Sequence, residues 1–218
     1  MAKNKKKAAP DAEAITAALE KLYPDALCSL EYGEDPWRLL VAARLSAQCT
    51  DERVNIVTKP LFERFPDAES VTKGEISEIE EIIRPCGLFR TKAKSIFEMS
   101  LIICRDFGGR VPDTMEELLS LPGVGRKIAN LILGDIYGKG GIVADTHCIR
   151  ICGRLGFYDT AKKDPLFTER TMEKAIPREK QSDFCHRIVL FGREYCTARA
   201  PRCSECPLRE LCQSEDKK

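Results

Sequence analysis

No stretch of this chain approaches the roughly 18 consecutive apolar residues that a membrane-spanning helix needs. The first residues also lack the apolar run of a secretory leader. Both absences lead to the expectation of a protein that makes no use of a membrane and works in the cytoplasm. A surplus of one charge is missing too: 35 Lys and Arg face 34 Asp and Glu, a net charge of +1. Any grip on an anionic polymer must then come from a local basic face. Strand-like alternation of useful length is absent, and no long internal repeat is visible. Histidine is scarce, with only His147 and His186.

Hydrophobic residues make up 43% of the 218 and charged residues 32%, enough for a sizeable core. That length suits one large domain or two small ones. Cysteine is plentiful at 11 residues. An odd count without regular spacing across the chain argues against a secreted disulfide framework. Cys28, Cys49, Cys86, Cys104, Cys148, Cys152 and Cys185 sit among apolar or helical neighbours and read as free thiols. Cys148 and Cys152 would share a helix face, with no third metal ligand nearby. Lys3, Lys5, Lys6 and Lys7 form a basic arm, read as a solvated tail or an auxiliary contact to nucleic acid.

Almost everything between reads as helix. Asp11 caps a helix through Leu22, and Asp35-Pro36 starts another that ends at Ser46-Ala47-Gln48-Cys49. Thr50 or Asp51 opens the next. Ile76 to Ile83 is short and is ended by Pro85-Cys86-Gly87. Leu88-Phe89 is an exposed turn, and Thr91 to Phe107 is long and amphipathic. Met115 to Leu119 runs into Leu121-Pro122-Gly123-Val124-Gly125, after which an apolar helix carries Lys127 in its first turn. Gly138 to Gly141 breaks the chain, Asp145 starts a helix through Leu155, and further helices follow around Asp164 to Ala175 and Ser182 to Phe191. The fold class is all-α.

Two stretches carry chemistry. In the first, a tight turn feeding a helix N-terminus offers backbone N–H groups to a phosphate. Lys127 beside it can be a nucleophile, and Asp145 can manage charge as well as cap its helix. In the second, Cys196, Cys203, Cys206 and Cys212 follow the spacing C-x6-C-x2-C-x5-C. Four thiolates so placed suit an iron–sulfur cluster or a zinc ion. A single C-x2-C pair flanked by longer arms favours the cluster. Arg193, Arg199 and Arg202 crowd this loop as solvated charges or phosphate contacts.

These residues together resemble the endonuclease III family of helix-hairpin-helix DNA glycosylases, from about Pro36 to Cys212. The resemblance rests on Leu45-Ser46-Ala47-Gln48 with Asp51, Gly87-Leu88 with Lys92-Ala93, Leu121 to Lys127, Asp145-Thr146-His147 and the cysteine tail. It implies two helical domains with a DNA cleft between them. One is a six-helix barrel over 29–140; the other is 141–218, joined by the arm and helix of 1–28. It implies a [4Fe–4S] cluster on the four cysteines, Lys127 as nucleophile and Asp145 as its carboxylate partner. Gln48 would fill the gap left by an extruded base, and Leu88 would wedge into the stack. Gly123, Val124, Gly125, Thr146, His147, Arg199 and Arg202 would contact the DNA backbone. The implied activity is a bifunctional DNA glycosylase/AP lyase of base excision repair, acting as a monomer on double-stranded DNA with an oxidised pyrimidine or abasic site. In a prokaryote it would be associated with the nucleoid.

Ile128 stands where the family has threonine, Ala144 where it has valine, and Gly138 to Gly141 lacks a proline. These departures touch packing and loop stiffness, not the chemical groups. Two rivals stand beside this reading. An adenine-specific mismatch glycosylase would lack Lys127 and carry a glutamate in the early helix, where Arg44 to Gln48 has none. A non-catalytic DNA-binding metalloprotein would bind without turnover. The lysine route also sets a demand. An amine with a reference pKa of about 10.4 is under ~0.1% neutral at pH 7, so the helix end, Arg126 and desolvation by DNA are expected to favour the free amine.

Overall fold

The computed structural model describes residues 9–215; the lysine run at positions 3 to 7 lies outside them. Among the described residues every regular element is helical. The α-helices are α1 (Ala12–Leu22), α2 (Pro36–Leu45), α3 (Asp51–Arg64), α4 (Ala68–Thr72), α5 (Ile76–Ile83), α6 (Phe89–Asp106), α7 (Met115–Ser120), α8 (Arg126–Asp135), α9 (Thr146–Leu155), α10 (Pro165–Ala175) and α11 (Gln181–Glu194). Short 3-10 turns cover Arg84–Cys86 and Arg178–Lys180. The chain divides into two compact units. One is Cys28–Gly138; the other joins the segments up to Leu27 and from Lys139 onward.

In the first unit α2 is the central helix. Leu39, Leu40, Val41, Ala42, Ala43 and Leu45 are all buried, so it is apolar around its circumference and must be wrapped by others. Its start is set locally: the Asp35 carboxylate accepts from the Arg38 N–H at 2.9 Å, with Pro36 in the first turn. The Trp37 indole donates to the Ser100 hydroxyl of α6 at 3.0 Å, which satisfies its only polar atom inside the core. Helix α4 is too short for periodicity to show. An Asp67–Ser70 capping box holds it, with serine where glutamate is usual. Helix α6 begins at Phe89, two residues before the expected Thr91, because the Leu88 carbonyl accepts the Lys92 N–H at 3.1 Å.

The second unit packs α1 with α9, α10 and α11 around Ile15, Leu19, Ile151, Leu155, Met172 and Phe184. Polar ties hold α1 against α11. Tyr23 Oη donates to Glu194 at 2.7 Å, and Arg187 Nε donates to the Tyr23 carbonyl at 3.1 Å. Cys148 and Cys152 lie buried on one face of α9 with sulfurs 3.9 Å apart, both as free thiols. The proline-free loop is tied down by side chains instead. Gln181 accepts from the Gly141 N–H at 3.0 Å and donates to the Ile176 carbonyl at 3.0 Å. A Cβ on Gly140 would lie 2.7 Å from the Arg178 carbonyl.

Candidate DNA-processing site and cysteine loop

Between α7 and α8 the chain turns within four residues. The Val124 N–H donates to the Leu121 carbonyl at 3.1 Å, and Gly123 has φ +80. Pro122 followed by a residue of positive φ makes a type II turn, which needs glycine at that place. Glycine is needed for space as well, since a Cβ on Gly123 would run into the Arg44 side chain and lie 2.9 Å from the Ser95 hydroxyl. Gly125 differs: its φ is −103 and nothing stands within 4 Å of an added Cβ. Gly123 and Gly125 are exposed while Val124 is buried, so one apolar side chain pins a hairpin whose backbone faces solvent. Helix α8 starts at Arg126, and its N-cap Gly125 makes no side-chain hydrogen bond; a helix N-terminus favours an anion. Lys127 is exposed in that first turn.

Three non-glycine residues have positive φ among those described: Glu34, Gln48 and Leu88. Two of them are the side chains singled out for entering the base stack. Gln48 has φ +56, and Leu88 has φ +46 with ψ +30. A left-handed backbone costs roughly 1–2 kcal/mol for such residues. Both side chains are exposed, Leu88 at 62%, where an isolated large apolar group gains nothing from burial.

Beneath these two loops lies Lys92, fully buried. Its ammonium donates to the Leu45 carbonyl at 2.8 Å and the Cys86 carbonyl at 2.7 Å. Burial pushes this amine below its ordinary range, and Arg44 acts in the same direction. Burial also pushes the Cys86 thiol up to about 11, helped by its neighbour Cys49. Arg44 itself props the hairpin. It donates to the Ser95 hydroxyl at 3.3 Å, while its buried Nε has no hydrogen-bond partner. The sequence assigns no role to either cation, although Lys92 stands in the Gly87-Leu88 and Lys92-Ala93 stretch. A signal existed for one: Lys92 heads the apolar stripe Ile96, Met99, Ile103 of α6.

In the second unit the Asp145 carboxylate accepts from the Cys148 N–H at 2.7 Å and so caps α9. The expected cap is present, and it fixes the direction of the carboxylate. Thr146 is exposed in the first turn of α9. His147 is half-buried, with Nδ1 3.2 Å from the Arg150 guanidinium.

Cys196, Cys203, Cys206 and Cys212 line one cavity together with the apolar side chains of Ile151, Leu155, Phe191 and Leu208. Burial pushes the Cys206 thiol up, and the other three sulfurs add to this. Four thiols lining one apolar cavity are a donor set that fits a thiolate-held cluster. The loop is tied from α9. Arg154 donates to Cys196 Sγ at 3.3 Å, to the Thr197 carbonyl at 2.8 Å and to the Ala198 carbonyl at 3.2 Å. Arg150 donates to the Cys196 carbonyl at 3.0 Å. These two arginines were also not anticipated, although their spacing of four places them on one face of α9. Arg199 is exposed. Arg202 is exposed too, paired with Glu205 and lying 5.5 Å from the Tyr195 ring centre.

Residues 41–178 match the model of the HhH-GPD superfamily of base excision DNA repair proteins, which makes the class of protein plain. Residues 196–212 match the iron–sulfur binding domain of endonuclease III. The endonuclease III of Synechocystis sp. is 49% identical over 201 residues, 92% of this chain and 90% of that protein. That of Bacillus subtilis is 43% identical, over 90% of each. A solved non-covalent endonuclease III–DNA complex superposes with a TM-score of 0.86 at 40% identity, covering 92% of this chain and 93% of the other. The chain therefore belongs to the endonuclease III family: it is a DNA glycosylase/AP lyase of base excision repair with a [4Fe–4S] cluster. No helix among the described residues is long and apolar enough to cross a membrane.

Proposed function

We propose that this chain acts as a cytoplasmic monomer that removes oxidised pyrimidines from double-stranded DNA, with Lys127 as nucleophile and Asp145 as its carboxylate partner. A base inside a duplex is out of reach of a side chain and must be extruded, at a cost of a few kcal/mol. Leu88 wedges into the stack and Gln48 hydrogen-bonds in the gap. The hairpin Gly123-Val124-Gly125 binds phosphate through the exposed backbone of Gly123 and Gly125, while Val124, whose N–H closes the turn onto Leu121, holds that backbone in place. Thr146, His147, Arg199 and Arg202 are further backbone contacts, Arg202 by exchanging Glu205 for phosphate.

The neutral Lys127 amine attacks the sugar carbon that bears the base. The base departs with the bonding electron pair and takes a proton. Ring opening then gives a Schiff base, which acidifies the neighbouring sugar position, and β-elimination cuts the strand 3′ to the site. Asp145 stabilises positive charge on the sugar as the base leaves and assists proton transfer. It does not help free the amine, because a carboxylate favours the ammonium. Cys196, Cys203, Cys206 and Cys212 hold the cluster, which when bound closes the loop that carries Arg199 and Arg202. No chemical step is assigned to it.

The observation that supports this reading most is the exposed Lys127 in the first turn of α8, directly after a glycine turn with an open backbone. Borohydride should trap a covalent complex between the protein and abasic-site DNA, and Lys127→Ala should abolish it. Persistent trapping in that variant removes the assignment. A panel of duplexes carrying thymine glycol, other oxidised pyrimidines and an adenine mismatch tests the substrate class. Turnover confined to the mismatch would favour the adenine-specific alternative.

A further inference from the structure

Lys92 belongs to none of the functions described so far, yet it is a fully buried cation whose donors both reach main-chain carbonyls. The acceptors are informative. Leu45 is the last residue of α2, and Cys86 is the last residue of the 3-10 turn. Each carbonyl belongs to a helix end, where C=O groups lack intrahelical partners and carry partial negative charge. One ammonium thus caps two helix C-termini at once. Three residues beyond the first acceptor stands Gln48; two residues beyond the second stands Leu88. Both are exposed and both hold left-handed backbones. The Lys92 N–H donates to the Leu88 carbonyl as well, at 3.1 Å. Lys92 therefore touches the chain on either side of the Leu88 loop and at the root of the Gln48 loop.

We infer that Lys92 is a positioning residue for base extrusion, a buried clamp that sets the separation of the loops bearing Gln48 and Leu88. The inference rests on the proposed roles of those two side chains. A wedge and a plug must enter one stack in concert, and neither loop has regular structure of its own to hold it. Left-handed residues persist only where their surroundings over-determine them. A short ammonium bridge between two carbonyls supplies that constraint without adding a group to the DNA surface. An apolar residue of the same length would fill the space but leave both carbonyls without a donor.

The test uses the full-length, cluster-loaded protein and three readouts. Lys92→Met should lower kcat for removal of thymine glycol from a duplex about tenfold or more, as expected when reacting parts are misplaced by an ångström or less. Cleavage at a preformed abasic site, where no base has to be extruded, should fall by less than about threefold. The fluorescence rise of 2-aminopurine placed opposite the lesion, which reports unstacking, should shrink. In a Gln48→Gly/Leu88→Gly background, Lys92→Met should add less than about twofold. Equal loss of both activities, or independent multiplication of the effects, overturns the clamp.

Should Lys92→Met not fold, amide exchange in the unmodified protein decides. Residues 46–49 and 86–89 opening together supports the clamp; independent opening overturns it. Full activity in the Gln48→Gly and Leu88→Gly variants would instead remove the wedge and plug, and with them the effect on extrusion. Exchange would then still judge the mechanical link.

Discussion

The unit Cys28–Gly138 buries 28 apolar residues in one core, whereas the other unit, of comparable length, buries 14 among its described residues. The difference shows in how each holds an irregular loop. In the larger core, hairpin and turns rest on packed side chains: Val124 below the hairpin, Arg44 against Gly123, Lys92 beneath Gln48 and Leu88. In the smaller core the cysteine loop sends little inward besides Leu208. It is held by arginine-to-carbonyl bonds and by sulfurs converging on one cavity. At similar length, a unit that buries fewer apolar residues gains less from burial and leans more on such staples.

The sharpest way to break this comparison is to remove the staple. Cys206→Ser should abolish absorption near ~400 nm and destabilise the unit of α1, α9, α10 and α11 by more than about 5 kcal/mol. Amide protection in α2 should persist. An unchanged melting profile would show that arginines and core suffice.

The matching test in the larger core is Gly123→Ala, which adds a left-handed alanine and a clash with Arg44. It should cost about 3 kcal/mol, read by denaturant unfolding. Gly125→Ala, with open space around it, should stay within about 1 kcal/mol yet weaken DNA binding if phosphate approaches that backbone. Equal stability losses would mean that the hairpin is not held from below.

Asp145 separates capping from charge. Asparagine caps as well as aspartate, so Asp145→Asn should stay within about 0.5 kcal/mol of the parent, whereas Asp145→Ala loses about 1 kcal/mol. Base removal should fall in both. Retained activity in Asp145→Asn would leave Asp145 as a cap alone.

The smallest effect is linked to pH. Burial pushes the Cys28 thiol up to about 12, so folding favours its protonated form. That contribution is complete below the ordinary thiol pKa of about 8.5 and is lost as pH rises toward the folded value. The stability advantage over Cys28→Ser should therefore narrow by on the order of 1 kcal/mol between pH 8 and 9.5, followed by thermal unfolding. A constant difference would mean that Cys28 is better solvated than its packing suggests.

Much of the helical framework was legible because its signals are local. Asp11, Asp35 and Asp145 each cap the helix expected of them, Thr50 rather than Asp51 caps α3, and Asp164 caps the helix expected around it, each with an acceptor two or three residues from its donor. Ile76 to Ile83 has the expected limits. Helix α4 was missed, since five residues carry no period and its capping box uses an atypical serine. The start of α6 was placed late because Leu88 in a left-handed backbone is not a residue that propensity would choose for an N-cap.

By itself the sequence determined the all-helical class, the glycine turn before Lys127, the Asp145 cap and the spacing of four cysteines. Each depends on backbone geometry or ligand reach within a few residues, and such constraints are written in consecutive letters. Only the tertiary structure decided that Lys92 lies buried across the roots of two loops 40 positions apart, that Arg44 blocks any side chain at Gly123, and that Arg150 and Arg154 grip the segment of the first cysteine. A lysine or arginine in a helix reads as surface until the fold shows which carbonyls it reaches. The energy that holds a buried cation comes from dipoles distant in sequence, and no local pattern records them.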